Sequence, residues 1–390
     1  MSLGLYVHVP YCRRVCPYCD FFVVPIGRRG ARTDVLASRG TATPPPGVHD
    51  FVDALIREIE LVGDRAATLS TIHFGGGTPS TLSPDELERI VAAIRDHFEV
   101  APGAEVTLEA NPEDLSTEYA QALVGLGVNR LTLGIQSLDD EALRVLGRKH
   151  RRSHALAALD AARAGGLANL CVDLIFGVPG QSTASWHETV SRVLDTRPEH
   201  VSAYELTIEE GTELARRRGS GQLRPLRPSA LHRLFVTTDE LLCAAGYEHY
   251  EVSNYAREER FRSRHNLAYW RHSPYLGIGP AAHSFDGSMR WWNHRALEPW
   301  LAALGEGRKP IAEREVLSPV ELRREEILLG LRCADGFPRE PGGSAERPPL
   351  PADALADAIG RWQLVIDGDR IKPTLQGMLI ADELARQLCP

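Results

Sequence analysis

Six short apolar runs alternate with amphipathic stretches through the first 250 residues of this 390-residue chain, and that rhythm constrains its fold more than any other feature. The β-rich runs cover residues 5–9, 71–74, 105–109, 130–135, 169–176 and 200–206. Between them, apolar positions recur at helical spacing over 51–62, 84–98, 117–126, 139–146, 153–165 and 184–195. Ser83 with Glu86 forms a capping box at the start of the second helix. Strand–helix repetition at roughly 30-residue spacing predicts βαβ units and a parallel sheet, an α/β fold. Six such units could curve into an incomplete (β/α)6 barrel, and a doubly wound open sheet satisfies the same periodicity.

Two stretches break the rhythm. Residues 27–48, rich in Arg, Gly, Thr and Pro, read as a flexible surface loop. After a last helix of the main domain at 229–245, the pattern changes beyond about 310, and the chain is divided into a main domain (1–300) and a small one (301–390). The small domain reads as a helix at 319–333, a Pro/Gly-rich loop at 336–351, a helix at 352–362, a hairpin over 364–372 turning at Gly368, and a closing helix at 374–388. This mainly helical set resembles a winged-helix module with a docking or lid role. A net charge of −8, with both signs mixed along the chain, argues against nucleic-acid binding by counterion release. No run approaches the roughly 18 apolar residues of a membrane span; the densest, 169–177, contains Asp173. No signal-peptide pattern opens the chain, so a cytoplasmic protein is expected, with membrane contact only through a partner.

Three of the seven cysteines, Cys12, Cys16 and Cys19, fall within eight residues directly after the first strand. A secreted disulfide framework would spread its cysteines more evenly through a shorter chain. Three thiolates on one loop can instead hold three irons of a cubane and leave the fourth open. A zinc ion borrowing a distant fourth ligand is the alternative that spacing leaves standing.

The flanks, Tyr6-Val7-His8-Val9-Pro10-Tyr11 before the first cysteine and Asp20-Phe21 after the third, resemble the radical-SAM family of oxygen-independent coproporphyrinogen III oxidase and the related heme chaperones. The resemblance runs to about residue 300. It implies a [4Fe–4S] cluster on Cys12, Cys16 and Cys19, whose open iron chelates S-adenosylmethionine. It implies that Tyr6 lies near the methionine part of that cofactor, and that Gly76, Gly77 and Thr78, within the Gly-rich turn after the second strand, bind its amino group. Glu109, Gln136 and Asp173, on successive strands, and Arg148, in the turn after the fourth unit, correspond to contacts with ribose, adenine or the methionine carboxylate. A carboxylate in a strand as apolar as that of Asp173 also demands a partner on physical grounds.

Within the family, Phe21 stands where the oxidases carry a further cysteine, and only eleven residues precede Cys12. His265-Asn266-Leu267-Ala268-Tyr269-Trp270 matches the HNxxYW motif of the heme-chaperone branch. Segments 205–212, 250–255 and 277–284 are similar to that branch as well. The resemblance therefore implies heme as a third ligand, contacted by His265, Tyr269 and Trp270, with His283 as a second neighbour. The implied partners are heme-accepting respiratory or cytochrome-type proteins. The competing implication is radical oxidative decarboxylation of coproporphyrinogen III.

Overall fold

Leu5, Val7 and Val9 alternate with Tyr6 and His8 along the first strand, β1 (Ser2–Val9), and that alternation sets the architecture. The three apolar residues are fully buried in the main core, whereas Tyr6 and His8 border cavities on the opposite face. A buried Leu or Val of this kind contributes roughly 1.5–3 kcal/mol. The computed structural model describes residues 2–26, 47–340 and 348–389, so the loop expected over 27–48 lies, up to position 46, outside the described residues.

After β1 comes the two-residue strand β2 (Tyr11–Cys12), which pairs in parallel with β3 (Val24–Pro25). There follow α1 (Val48–Val62), β4 (Thr68–Gly76), α2 (Pro84–His97), β5 (Glu99–Ala110), α3 (Thr117–Gly125), β6 (Arg130–Gln136), α4 (Asp140–Val145), α5 (Arg152–Ala164), β7 (Leu170–Phe176), α6 (Thr183–Asp195) and β8 (His200–Glu205). The Ser83–Glu86 capping box opens α2 as expected. β1, β4, β5, β6, β7 and β8 lie side by side in that order, all parallel. A doubly wound sheet would reverse its strand order at a switch point. This sheet does not, and it is the six-unit incomplete barrel. The outward residues of every strand pack on the helices, as with Phe74, Leu108, Leu133, Val172 and Val201.

Both edges of the barrel sheet are extended by strands that the sequence pattern did not announce. After α7 (Glu213–Gly219) and α8 (Pro228–Ala244), β9 (Glu248–Glu251) and β10 (Asn254–Ala256) add antiparallel strands beyond β8. After α9 (Arg264–Trp270), β11 (Tyr275–Ile278) pairs in parallel with β1. β12 (His283–Phe285), β13 (Met289–Asn293) and, past α10 (Leu297–Gly305), β14 (Ile311–Val316) continue that edge as an antiparallel meander. The expected division at residue 300 thus falls between two neighbouring strands of one sheet.

The C-terminal module comprises α11 (Pro319–Gly330), β15 (Phe337–Pro338), α12 (Ala352–Gly360), β16 (Leu364–Asp367), β17 (Arg370–Pro373), α13 (Leu375–Leu379) and α14 (Ala381–Leu388). It has its own small core around Ile327, Phe337, Leu364, Ile371 and Leu384. The hairpin turns at Gly368 as expected, in the left-handed region at φ 60°. The single helix expected over 374–388 is two. Gly377 lies against the Gln363 carbonyl, so close that a Cβ would sit 2.1 Å from it, and the backbone breaks at Ile380. No helix of the described residues is long and apolar enough to cross a membrane.

Candidate functional site

The three clustered cysteines sit at the C-terminal ends of the parallel strands, where ligands of such barrels bind. Cys12 ends β2, and the loop it opens is folded back and closed by two backbone bonds: Val24 donates to the Pro10 carbonyl at 2.7 Å and Ile26 to that of Cys12 at 2.7 Å. Within it, the Cys19 amide donates to the Cys16 carbonyl at 3.0 Å. None of the three forms a disulfide.

Polar contacts from three other loops surround them. Asn111 donates to the Thr78 hydroxyl at 3.1 Å, which leaves the hydroxyl proton free to point at the Cys12 sulfur, 3.2 Å away. The Arg148 guanidinium donates to the Gly134 carbonyl at 2.7 Å and to the Asn111 amide oxygen, and its other terminal nitrogen lies 3.7 Å from the Cys16 sulfur. A continuous ring therefore runs from Cys12 through Thr78, Asn111 and Arg148 to Cys16. Burial pushes the Cys12 thiol up to about 12, against the Thr78 hydrogen bond, and also raises that of Cys19. Thiolates at such a site need compensating positive charge, which bound iron supplies. Among the described residues, no three His, Cys, Asp or Glu side chains converge as a single-ion site. A cubane asks each thiolate only for its own iron, so the donor set fits a [4Fe–4S] cluster better than a closed zinc site.

The Gly-rich turn at the end of β4 holds this loop in place. Gly76 has φ 106°, and a Cβ there would meet the His8 ring at 2.5 Å; one on Gly77 would meet Pro10 backbone at 2.8 Å. The Gly77 amide donates to Val9 and that of Thr78 to Tyr11, both at 2.8 Å. These glycines thus seat the cysteine loop on the barrel, and both amides are committed to that task. Gln136 ends β6 in the left-handed region at φ 67°, its amide beside Gly134. A non-glycine residue held there stores about 1 kcal/mol or more of strain.

The inward-facing residues of the strands enclose a small polar chamber of about 200 Å³. It gathers Tyr6, Glu109, Asp173, His265 and Tyr269 of the residues singled out in the sequence, and adds His73, Arg130, Cys171 and His200, which were not. His73 bonds Glu109 at 2.9 Å. Burial pushes the Asp173 carboxyl up to about 6, while a Ser202 hydrogen bond pulls it back.

His265 occupies the far end of this chamber. It lies on α9, whose first amides are capped by Glu105, at 3.2 Å from Arg264 and 3.1 Å from His265. Its Nδ1 bonds the Thr71 hydroxyl and its Nε2 the Tyr269 hydroxyl, both at 2.9 Å, and its ring stacks on His73 with centroids 4.8 Å apart. It is 1% exposed, and burial holds it neutral. Trp270 borders neither cavity; its indole N–H lies beside the buried Glu251 without closing a full hydrogen bond.

On the other side of Tyr6 and Tyr269 opens a larger groove of about 880 Å³, bounded by β11–β14, residues 20–22 of the cysteine loop and α11. Phe21, Phe22, Tyr275, Phe285 and Trp292 give it an aromatic lining, with His283, Arg290 and Arg295 at its rim. The sequence reading missed Asn111, His73 and Arg295. His73 was within reach of it, since it shares strand parity with Thr71 and Gly75.

A model of the radical SAM superfamily matches residues 6–193 of the chain. The heme chaperone HemW of Mycobacterium tuberculosis is 37% identical over 387 residues, covering 99% of this chain and 94% of that protein. HemW of Synechocystis is 35% identical over 343 residues, covering 86% and 79%. Among solved structures, the coproporphyrinogen III oxidase HemN of Escherichia coli, a radical SAM enzyme, superposes with a TM-score of 0.79 at 21% identity, covering 100% of this chain and 90% of that one.

Proposed function

The chain belongs to the family of the heme chaperone HemW, within the radical-SAM superfamily, and on that premise we propose that it binds a [4Fe–4S] cluster, S-adenosylmethionine and heme, and passes the heme to cytochrome-type recipients in the cytoplasm or at the membrane face. What carries the proposal is the pairing of two unlike cavities on a common wall, Tyr6 and Tyr269, next to the cysteine loop. When bound through Cys12, Cys16 and Cys19, the cluster supplies an open iron able to chelate the amino and carboxylate groups of methionine.

The chain's own residues do the rest. Thr78 and Arg148 orient and electrostatically support the thiolates. Asn111 holds both, so a shift in one is felt by the other. Gly76 and Gly77 keep the loop against β1 and β4. Glu109 and Asp173 present carboxylates to the ribose hydroxyls of the nucleoside, with Gln136 at the rim beside Asn111. Tyr6 separates that polar ligand from the aromatic groove, whose volume of about 880 Å³ suits a tetrapyrrole.

Anaerobic reconstitution followed by iron and sulfide analysis, then heme titration, tests the reading. About four irons per chain and saturable heme binding are expected. Incubation with coproporphyrinogen III, S-adenosylmethionine and a reductant gives no decarboxylated product on this reading. Product formed at catalytic turnover would replace it with the oxidase function.

A further inference from the structure

We propose that the heme lies in the outer groove, with His283 as its iron ligand and Arg295 as the partner of a propionate. This rests on the heme-chaperone reading and assigns that cargo a place on the molecule. The groove has the dimensions and lining of a cofactor pocket, about 880 Å³ and largely aromatic. The inner chamber, at about 200 Å³, is too small for a macrocycle.

A ligand to iron needs a ring nitrogen with a free lone pair. Three histidines border the groove, and two are held in its wall. His8 has both nitrogens bonded, to the Tyr6 hydroxyl at 3.1 Å and the Phe22 carbonyl at 3.3 Å; His272 Nε2–H donates to Glu325 at 2.8 Å, and its ring lies flat against Phe285 with centroids 4.3 Å apart. Among the described residues, neither ring nitrogen of His283 has a hydrogen-bond partner. Its ring stacks on Trp292, with centroids 5.6 Å apart and planes 26° from parallel, so the imidazole is oriented without its nitrogens being used. Partial burial and the neighbouring Arg290 lower its affinity for a proton, which favours the neutral form that coordinates metal. His265, by contrast, is enclosed and bonded at both nitrogens.

The two arginines divide in the same way. Arg290 sits between Glu315 and Glu325, 3.0 Å from each, and its charge is answered. Arg295 donates to the Asp20 carbonyl at 3.1 Å and, among the described residues, meets no carboxylate. A propionate would supply one. Because Asp20, Phe21 and Phe22 follow Cys19 directly, the groove and the cysteines share one loop, and Arg295 grips that loop where they meet.

The experiment titrates ferric heme into the full-length, reconstituted protein and follows the Soret band and resonance Raman spectrum of wild type, His283→Ala, Arg295→Ala and His265→Ala. Iron content and thermal melting confirm that each variant is folded. For His283→Ala, a shifted Soret band, loss of the iron–imidazole signature and about tenfold weaker binding are expected, with the wild-type spectrum restored by added imidazole. Arg295→Ala should bind heme a few-fold more weakly with an unchanged spectrum, and the deficit should vanish with heme dimethyl ester. A wild-type spectrum in His283→Ala overturns the assignment, and its loss in His265→Ala would move the ligand to the motif histidine. Heme binding absent from the wild type would instead overturn the chaperone reading itself.

Discussion

The inner chamber and the outer groove share Tyr6 and Tyr269 yet are built from opposite materials. The chamber is made by the inward half of the strand alternation, and its polar groups mostly bond one another: His73 with Glu109, His265 with Thr71 and Tyr269. The groove is made by edge strands and a helix of the C-terminal module; among the described residues, its His283 has no hydrogen-bond partner and its Arg295 bonds the Asp20 carbonyl but meets no carboxylate. A satisfied polar interior fixes geometry for a small ligand, whereas an aromatic groove with open donors at its rim is suited to a large one that arrives and leaves. The difference warns against reading a motif histidine as a ligand merely because its neighbours are aromatic.

The largest effect that separates the two regions comes from the cysteines. Replacing Cys12, Cys16 or Cys19 by Ala should drop reconstituted iron from about four per chain toward zero and abolish S-adenosylmethionine binding in calorimetry. Heme binding in the groove should persist within about threefold. Simultaneous loss of heme binding would show that the two regions are one site, joined through residues 20–22.

Next is His265→Ala. The substitution strands the Thr71 and Tyr269 hydroxyls in a buried space and removes the stack on His73. A loss of about 2–4 kcal/mol in urea unfolding is expected, with the heme spectrum unchanged. A stable variant with an altered Soret band would break the contrast between the cavities. Arg148→Ala should be milder. It removes the link between Asn111 and Cys16, and about tenfold weaker S-adenosylmethionine binding is expected with iron content nearly kept.

Much of the barrel was legible because burial forces its pattern: Leu5, Val7 and Val9 have to meet helices, so each strand advertises itself. The cysteine loop was legible because three thiols on one turn have few uses. The edge strands were not. β12 has three residues and β14 is mostly exposed, so neither carries an apolar alternation, and each exists only through its neighbour. The location of His265 was equally hidden. The motif named the residue, but α9 takes its place through Glu105, 160 positions away in sequence. Arg295 gave no local signal, since its role depends on the groove and on a carbonyl of the cysteine loop.

The smallest effect tests how dry the chamber is. Burial raises Asp173 to about 6, whereas in the unfolded chain an aspartate loses its proton near 4. Between those values the native protein holds a proton that the unfolded chain has released. Raising the pH through that window therefore favours unfolding, and the contribution is fully present below about 4 and lost by about 6. Asp173→Asn has no such proton to hold. Its stability relative to wild type should rise by on the order of 1 kcal/mol between pH 5 and pH 7, allowing for the solvent that still reaches this half-buried group. Urea midpoints of the two proteins at the two pH values measure the difference. A pH-independent gap would mean that water screens Asp173 as it would a surface carboxylate, and the contrast between a closed polar chamber and an open aromatic groove would then lose its electrostatic half.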